Sequence, residues 1–203
     1  SDEIAVLLAR RLAFLLREET FDHVGIEASD EAHAAEYYIY PRGEGDPRVG
    51  DIYVKKANGG TEYFLLLTPS CDLVSGRVKA DKTLLARCKQ LIERSVYKDW
   101  KKEPNKPVGD GRQTRTDQLM AYMAGHWPQA DRNFFLPPAF AIPGLIADFQ
   151  DLNAITHKEL RESFERIATL DSPFAEAVSA RFSRYFGRLG TPDLNIRRIL
   201  ERV

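Results

Sequence analysis

The stretch VGDIYVKKANGGTEYFLLLT, residues 49–68, contains two strand patterns and the turn that joins them. Residues 49–55 predict a strand that is entered through Gly50. The Asn-Gly-Gly sequence at 58–60 is a strong hairpin signal, because asparagine and glycine tolerate the left-handed backbone that tight turns require. The run YFLLL at 63–67 is apolar on both faces, which is typical of a buried central strand. An antiparallel pair of strands is therefore expected here.

Further short strand patterns lie on both sides of this hairpin. The run at 84–88 fits either a helix or a strand, and a strand is preferred because two hairpin partners precede it. The rhythm of strand, helix and strand that builds a parallel sheet is absent. The additional strands are expected at residues 37–40, 84–88, 133–136, 145–149 and 165–170.

The N-terminal part of the chain has a helical pattern. Leucines recur at helical spacing in residues 2–20, and Asp2 and Glu3 suit the positive end of the helix dipole. This helix either packs on the domain or connects it to an upstream domain. Because the chain opens without methionine, we expect it to be part of a longer protein. Residues 21–36 have the composition of a polar connector.

The second half of the chain contains an insertion and a closing helix. Prolines, glycines and lysines at 95–131 predict a mobile loop with one short helix at 117–124. Ser172-Pro173 predicts a helix start, since serine caps helices and proline suits the first turn. Gly190 is the expected end of this helix, followed by a helical stub at 191–193.

Together these elements predict an α+β fold. We expect a small, partly open, antiparallel SH3-like β-barrel with an N-terminal and a C-terminal flanking helix. The expected boundaries are 1–36 for the N-terminal helix and connector and 37–203 for the barrel domain.

Composition limits the classes of function. The 203 residues carry a formal net charge of -1, so any nucleic-acid surface must be a local patch. The two cysteines form no disulfide framework, and no apolar run is long enough to span a membrane, so a cytoplasmic location is expected. The four histidines are scattered, and no phosphate-binding glycine loop is found, so neither a metal nor another cofactor is expected.

Three places resemble the SH3-like barrel of PemK/MazF-type proteins, the ribonuclease toxins of bacterial toxin–antitoxin pairs. Gly50-Asp51-Ile52 resembles the Gly-Asp-Ile/Val that opens their first barrel strand. Residues 62–70 resemble their buried strand, which ends in a small hydroxyl residue. Residues 145–170, followed by an amphipathic helix, resemble their late strands and closing helix. The toxins carry an arginine-proline at the start of the buried strand, whereas this chain has Gly-Thr-Glu-Tyr at 60–63.

Candidate catalytic groups lie at the predicted strand ends. Cys71 is a candidate nucleophile, with the alternative that it fills core space while Asp72 caps a turn. Asp51 and Asp72, with Asp148, are candidates for acid–base work or metal binding, and the alternative is that they cap turns. If the resemblance extends to RNA cleavage, it implies metal-independent attack by the 2′-hydroxyl. The base would be Asp51 or Asp72, and the cation Arg87 or Arg132.

The insertion carries a candidate nucleic-acid surface. Aromatic residues alternate there with basic ones, a combination that grips single strands by charge and stacking. The alternative is a solvated loop whose aromatics pack on the barrel. The candidate binding residues are Lys98, Lys101, Lys102, Arg112 and Arg115.

The leading prediction is a bacterial regulatory or effector domain, of PemK/MazF-like architecture, that binds or cleaves nucleic acid, with RNA favoured. The alternative is a non-enzymatic protein-interaction or output module of a larger signalling or phage-defence protein, joined through the N-terminal helix. A homodimer is a further expected assembly.

Overall fold

The hairpin pattern lies in the middle of a seven-stranded antiparallel sheet in the computed structural model, which describes residues 33–40, 45–57, 60–126 and 130–187. The strand order is β1-β9-β2-β3-β4-β8-β7, and the sheet curls into a half-barrel. A separate two-stranded ribbon consists of β5 and β6. The strands are β1 (Tyr38–Ile39), β2 (Asp51–Ala57), β3 (Gly60–Leu66), β4 (Thr83–Gln90), β5 (Pro107–Val108), β6 (Gln113–Thr114), β7 (Asn133–Leu136), β8 (Leu145–Ile155) and β9 (Glu165–Leu170).

The register of β2 against β3 confirms the predicted hairpin. Ala57 pairs with Gly60 next to the turn, and Ile52 pairs with Leu65 at the far end. The run at 84–88 is a strand, as preferred, and pairs with β3 on one side and β8 on the other. The strands expected at 133–136 and 165–170 are also present.

Side chains alternate across the sheet and give it two faces. The inner face is the one that contains Ile52 and Leu65, and it forms the main hydrophobic cluster. The outer face contains Tyr53, Phe64 and Leu66, which belong to a second cluster. Both faces are covered in places, which explains why β3 is apolar on both sides.

A helix, α4 (Phe174–Phe186), covers the inner face and begins next to the helix start predicted at Ser172-Pro173. Val178 is fully buried in the main cluster, and Phe182 contacts Phe149 edge-on at 5.3 Å between ring centroids. Gly187 caps the end of this helix. The predicted helix at 2–20, the predicted end at Gly190 and the stub at 191–193 lie outside the described residues.

The short helix predicted at 117–124 is present, and the rest of the insertion also contains secondary structure rather than the mobile loop that its prolines and glycines suggest. It contains α1 (Ser95–Lys102), the β5–β6 ribbon and α2 (Arg115–Ala124). Thr114 and Asp117 form a capping box at the start of α2, which satisfies backbone amides there. Apolar side chains of both helices pack with Leu91 and Ile146 on the outer face. Tertiary packing therefore orders a segment whose composition favours a loop.

One further helix, α3 (His157–Ser163), was not expected from the sequence. It follows β8, which continues to Ile155, six residues beyond the predicted strand. Thr156 caps α3 by accepting a hydrogen bond from the Glu159 amide at 3.1 Å. No helix among the described residues is long and apolar enough to cross a membrane. Together, the curled seven-stranded sheet and these helices give the described part of the chain an α+β architecture.

Candidate nucleic-acid interface

A shallow cleft of about 200 Å³ is lined by Arg87 and Lys89 of β4 and by Glu62 and Tyr63 of β3. Arg87 donates to the Glu62 carboxylate at 3.2 Å, and its guanidinium lies 5.7 Å from the centroid of the Phe64 ring. A second carboxylate, on Asp151, lies 3.9 Å away. Lys89, two residues along β4, is exposed on the same side of the strand. The cleft therefore presents two cations, one of which is paired with acids.

Helix α1 begins close in sequence to the residues that line this cleft. Gln90 and Glu93 line the cleft, and α1 begins at Ser95. Three of its lysines are exposed and form no ion pair with the described residues, namely Lys98, Lys101 and Lys102. Residues three and four apart share one side of a helix, so these lysines project together.

The opposite side of α1 is apolar. Tyr97 and Trp100 pack in the cluster around Leu119 and Ile146, and the Trp100 indole donates to Thr116 Oγ1 at 3.2 Å. These aromatic side chains therefore hold the helix on the sheet, as the packing alternative expects. What α1 presents to solvent is charge rather than a stacking surface.

The two candidate arginines of the insertion have different surroundings. Arg115 donates to the Asp99 carbonyl at 2.8 Å and to Glu103 at 3.0 Å, and only 17% of its side chain is exposed. It therefore ties the start of α2 to the end of α1. Arg112 is exposed and lies 3.2 Å from the Asp110 carboxylate. Neither is as open to an incoming anion as the α1 lysines.

Asp51 is enclosed by the sheet. Its carboxylate accepts hydrogen bonds from the Arg48 amide at 2.9 Å, from Arg166 at 3.1 Å and from the Thr169 hydroxyl. The residue has no exposed surface. A substrate cannot reach this carboxylate without displacing its partners, so its visible role is to join β2 to β9.

Cys71 and Asp72 lie in a 3-10 turn after β3, at residues Ser70–Asp72. The exposed Cys71 thiol donates to Asp72 Oδ1 at 3.5 Å. The Asp72 carbonyl accepts from the amides of Lys79 and Ala80, which closes the following loop. The partner of the thiol is an acceptor carboxylate and not a histidine, so this contact supplies no base for a cysteine nucleophile.

Arg132 is held by Asp148 at the start of β7. Its guanidinium donates through two nitrogens to the two carboxylate oxygens, at 2.8 and 2.6 Å. Burial opposes the ionisation of Asp148, but hydrogen bonds from Arg132 and the Gln150 amide outweigh it and keep the pKa of Asp148 below its ordinary value. The hydrogen bond to Asp148 in turn raises the pKa of Arg132. The pair is an ionised clamp between β7 and β8.

The five candidate catalytic residues are thus not gathered into one site. Cys71 and Asp72 are neighbours, while Asp51, Arg87 and Arg132 each have a separate set of partners. Within the described ranges, no group of three histidine, cysteine or acidic residues is arranged to hold a metal ion.

Sequence reasoning missed a larger cavity of about 310 Å³, which we call the α3 cavity. His157, Arg161 and Arg166 line it together with Phe164 and Asp46. The arginines lie more than a hundred positions from Asp46, and α3 itself was not predicted. The apolar positions Leu160 and Phe164, four apart, are the one local signal that could have revealed a buried helix face.

No protein-family model matches the chain, and no curated protein matches it either.

Proposed function

We propose that this domain is an SH3-like barrel of PemK/MazF type that binds single-stranded nucleic acid, with RNA preferred, through a basic strip on its outer face. The strip consists of Arg87, Lys89, Lys98, Lys101 and Lys102. The observation that carries the proposal is the group of three exposed α1 lysines, which form no ion pair with the described residues and follow the cleft residues Gln90 and Glu93 in the chain. Local positive charge of this kind compensates for a net charge near zero.

The position of Arg87 supports the architectural part of the proposal. The resemblance places an arginine at the start of the buried strand, where this chain has none. Arg87 lies on the neighbouring strand β4, and its guanidinium reaches Glu62 near the start of β3. A guanidinium therefore occupies this region of the sheet although it comes from a different strand.

The geometry supports binding more directly than cleavage. A 2′-hydroxyl attack needs a base and a cation that face the RNA together. Asp51 is enclosed, and Arg132 is clamped by Asp148. Glu62 and Arg87, 3.2 Å apart and each about one third exposed, are the acid and cation that the outer face offers. A cleavage reaction at the strip would use this pair.

The test is a fluorescence anisotropy titration of labelled single-stranded RNA and DNA over a salt series, with and without magnesium. The triple variant Lys98→Gln, Lys101→Gln, Lys102→Gln should bind more weakly. For single strands each lost phosphate contact flattens the slope of log K against log salt by about 0.7, so the variant should lose about 2 units of slope.

The matched control removes three exposed cations from the loop after the 3-10 turn, by Arg77→Gln, Lys79→Gln and Lys82→Gln. It changes the net charge equally and should retain the wild-type slope. If both variants lose RNA affinity and slope equally, or if the wild type shows no salt-dependent RNA binding at low ionic strength, the proposal that the strip binds RNA is wrong.

One observation favours the alternative, a protein-interaction module. Phe186 in the last turn of α4 is 57% exposed, and its ring contacts Phe182 and Tyr185. An exposed aromatic group at the end of a helix suits a protein contact. If the domain self-associates, Phe186→Ser should shift it towards the monomer in analytical ultracentrifugation while leaving RNA binding unchanged.

A further inference from the structure

The α3 cavity lies on the outer face, apart from the basic strip in the residues that line it. Its walls come from β2, β9, α3 and two loops, at 45–47 and 73–78. Its volume of about 310 Å³ is at the lower end of the range of small-ligand pockets. The cavity is therefore large enough for one compact ligand and too small for an extended peptide.

The floor of the cavity is apolar and firmly packed. Tyr53, Leu73 and Leu160 are each at most 4% exposed. Phe164 completes the floor and meets the Phe64 ring edge-on, with centroids 5.2 Å apart. A ligand for this cavity needs a flat or compact apolar part.

The rim of the cavity is fixed by hydrogen bonds. His157 Nε2 donates to the Ala80 carbonyl at 2.6 Å, and its Nδ1 lies 3.1 Å from the Thr83 hydroxyl. This contact joins the start of α3 to the loop that carries Leu73 and Val78. The Arg166 guanidinium is likewise fixed by the carbonyls of Gly45 and Asp46, at 2.9 and 3.1 Å. Most of the rim is therefore ordered before any ligand binds.

Arg161 is the cation available to a ligand. It lies on α3, lines the cavity and is exposed, and it forms no hydrogen bond or ion pair with the described residues. An arginine guanidinium binds phosphate through two parallel hydrogen bonds. The cavity thus has an anion-binding group at its mouth.

Asp46 provides an acceptor on another wall. The Ser75 amide at 3.1 Å and the Ser75 hydroxyl both donate to its carboxylate. The hydrogen bonds from Ser75 keep the pKa of Asp46 below its ordinary value, so the group is anionic at neutral pH. Each carboxylate oxygen has two acceptor sites, so both retain capacity for a ligand amino group.

We propose that the α3 cavity binds a single nucleotide. The base packs on the apolar floor, an amino group of the base donates to Asp46, and the phosphate binds Arg161. A nucleotide combines the three features that the cavity requires, namely a flat apolar ring, a hydrogen-bond donor and an anion. The site is independent of the basic strip, because the two share no lining residue.

The test is isothermal titration calorimetry of the full chain with the ribonucleoside monophosphates and, separately, the matching nucleosides. A monophosphate should bind at least about tenfold more tightly than its nucleoside, as expected for a charge-assisted contact. In Arg161→Gln this preference should disappear, while nucleoside affinity remains. Loss of the preference without loss of nucleoside binding separates a ligand contact from a folding defect.

Lys158→Gln is the matched control, because Lys158 lies on the same helix, is 77% exposed and does not line the cavity. It should retain the preference for the phosphate. The strip variant Lys98→Gln, Lys101→Gln, Lys102→Gln should also retain this preference. The proposal for the strip and the proposal for the cavity can therefore fail independently, and the experiments show which one has failed.

A short oligonucleotide distinguishes a free nucleotide from one nucleotide of a bound strand. Arg161-dependent binding of the monophosphate identifies a free nucleotide as ligand, and such binding of the oligonucleotide alone identifies a strand. Either result supports the cavity as a nucleotide site. If neither ligand binds, or if Arg161→Gln binds both as the wild type does, the proposal is wrong.

Discussion

Two salt bridges of nearly equal length join neighbouring strands in opposite surroundings. Asp51 and Arg166 meet at 3.1 Å, with side chains 0% and 14% exposed. Glu62 and Arg87 meet at 3.2 Å, with side chains 34% and 39% exposed. Because the two distances are nearly equal, burial is what distinguishes the structural Asp51–Arg166 pair from the Glu62–Arg87 pair, which a ligand can reach.

The difference has an energetic origin. A buried charge has lost its hydration and depends on its partner, so removal of the partner is costly. An exposed pair exchanges one set of solvated contacts for another, and its net contribution to stability is small. Asp148 and Arg132, with side chains 5% and 34% exposed, lie between these two cases.

The largest expected effect is that of Asp51→Ala. It removes the buried carboxylate that accepts from Arg166, the Arg48 amide and the Thr169 hydroxyl, and it should lower the free energy of unfolding by about 3–5 kcal/mol. Denaturant unfolding followed by circular dichroism measures this. Asp151→Ala, at a carboxylate that is 39% exposed, should cost less than about 1 kcal/mol. Similar losses in the two variants would contradict the comparison.

The next effect concerns Gly50, which positions Asp51. Its φ is +86°, and an added Cβ would meet the Cβ atoms of Leu170 and Ala175 at 3.1 and 3.2 Å. Gly50→Ala should therefore lower the free energy of unfolding by about 2–4 kcal/mol, from backbone strain and close packing combined. Gly76 has φ +79°, and an added Cβ there would meet nothing within 4 Å, so Gly76→Ala isolates the backbone strain alone, about 1–2 kcal/mol.

The contribution of the Asp148–Arg132 pair to the free energy of unfolding should depend on pH. The folded-state pKa of Asp148 lies below its ordinary value, so the stabilisation is complete above the unfolded pKa of about 3.9 and is lost as the pH falls through the folded pKa. Asp148→Asn should cost about 1–3 kcal/mol at neutral pH. The difference in the free energy of unfolding between the two proteins should start to shrink as the pH falls below about 4, and it should disappear only below the folded-state pKa of Asp148. A difference that stays constant down to pH 2 would mean that the charge of Asp148 is not involved.

The smallest effect on stability is expected at the exposed pair. Glu62→Gln should change the free energy of unfolding by less than about 1 kcal/mol. It should nevertheless strengthen RNA binding, because it removes a negative charge beside the basic strip and releases Arg87 to bind a phosphate. Anisotropy titrations check this, with Glu165→Gln as an exposed acidic control on β9. Weaker RNA binding in Glu62→Gln would instead assign this carboxylate a direct role with the nucleic acid.

The sequence predicted the strands well where the signal was local. The Asn-Gly-Gly turn and the apolar run at 63–67 are sufficient for the β2–β3 hairpin, since neighbouring residues alone determine its register. The short helix expected at 117–124 is present as α2, but the prediction failed for the first part of the insertion and at 157–163. In the first region proline and glycine masked the amphipathic helix α1, and in the second a seven-residue helix is too short for a clear periodic pattern.

The candidate sites were harder to predict because sequence position does not show which charges are paired. Asp51 follows a glycine at a strand start, a position that suits either catalysis or structure. Its enclosure depends on Arg166 and Thr169, which lie 115 and 118 residues away. The α3 cavity depends on the same long-range assembly, so no motif indicated it.

By itself, then, the sequence determined the α+β class, the central hairpin, most strand positions and the helix that follows Ser172-Pro173, because alternation, turn residues and caps act over a few positions. Tertiary structure alone decided the strand order, the packing of the insertion on the outer face, and which charges are enclosed and which are open. Burial and ion pairing arise between residues far apart in the chain. For this protein they separate Asp51, which holds two strands together, from Arg161 and the α1 lysines, which are exposed to solvent.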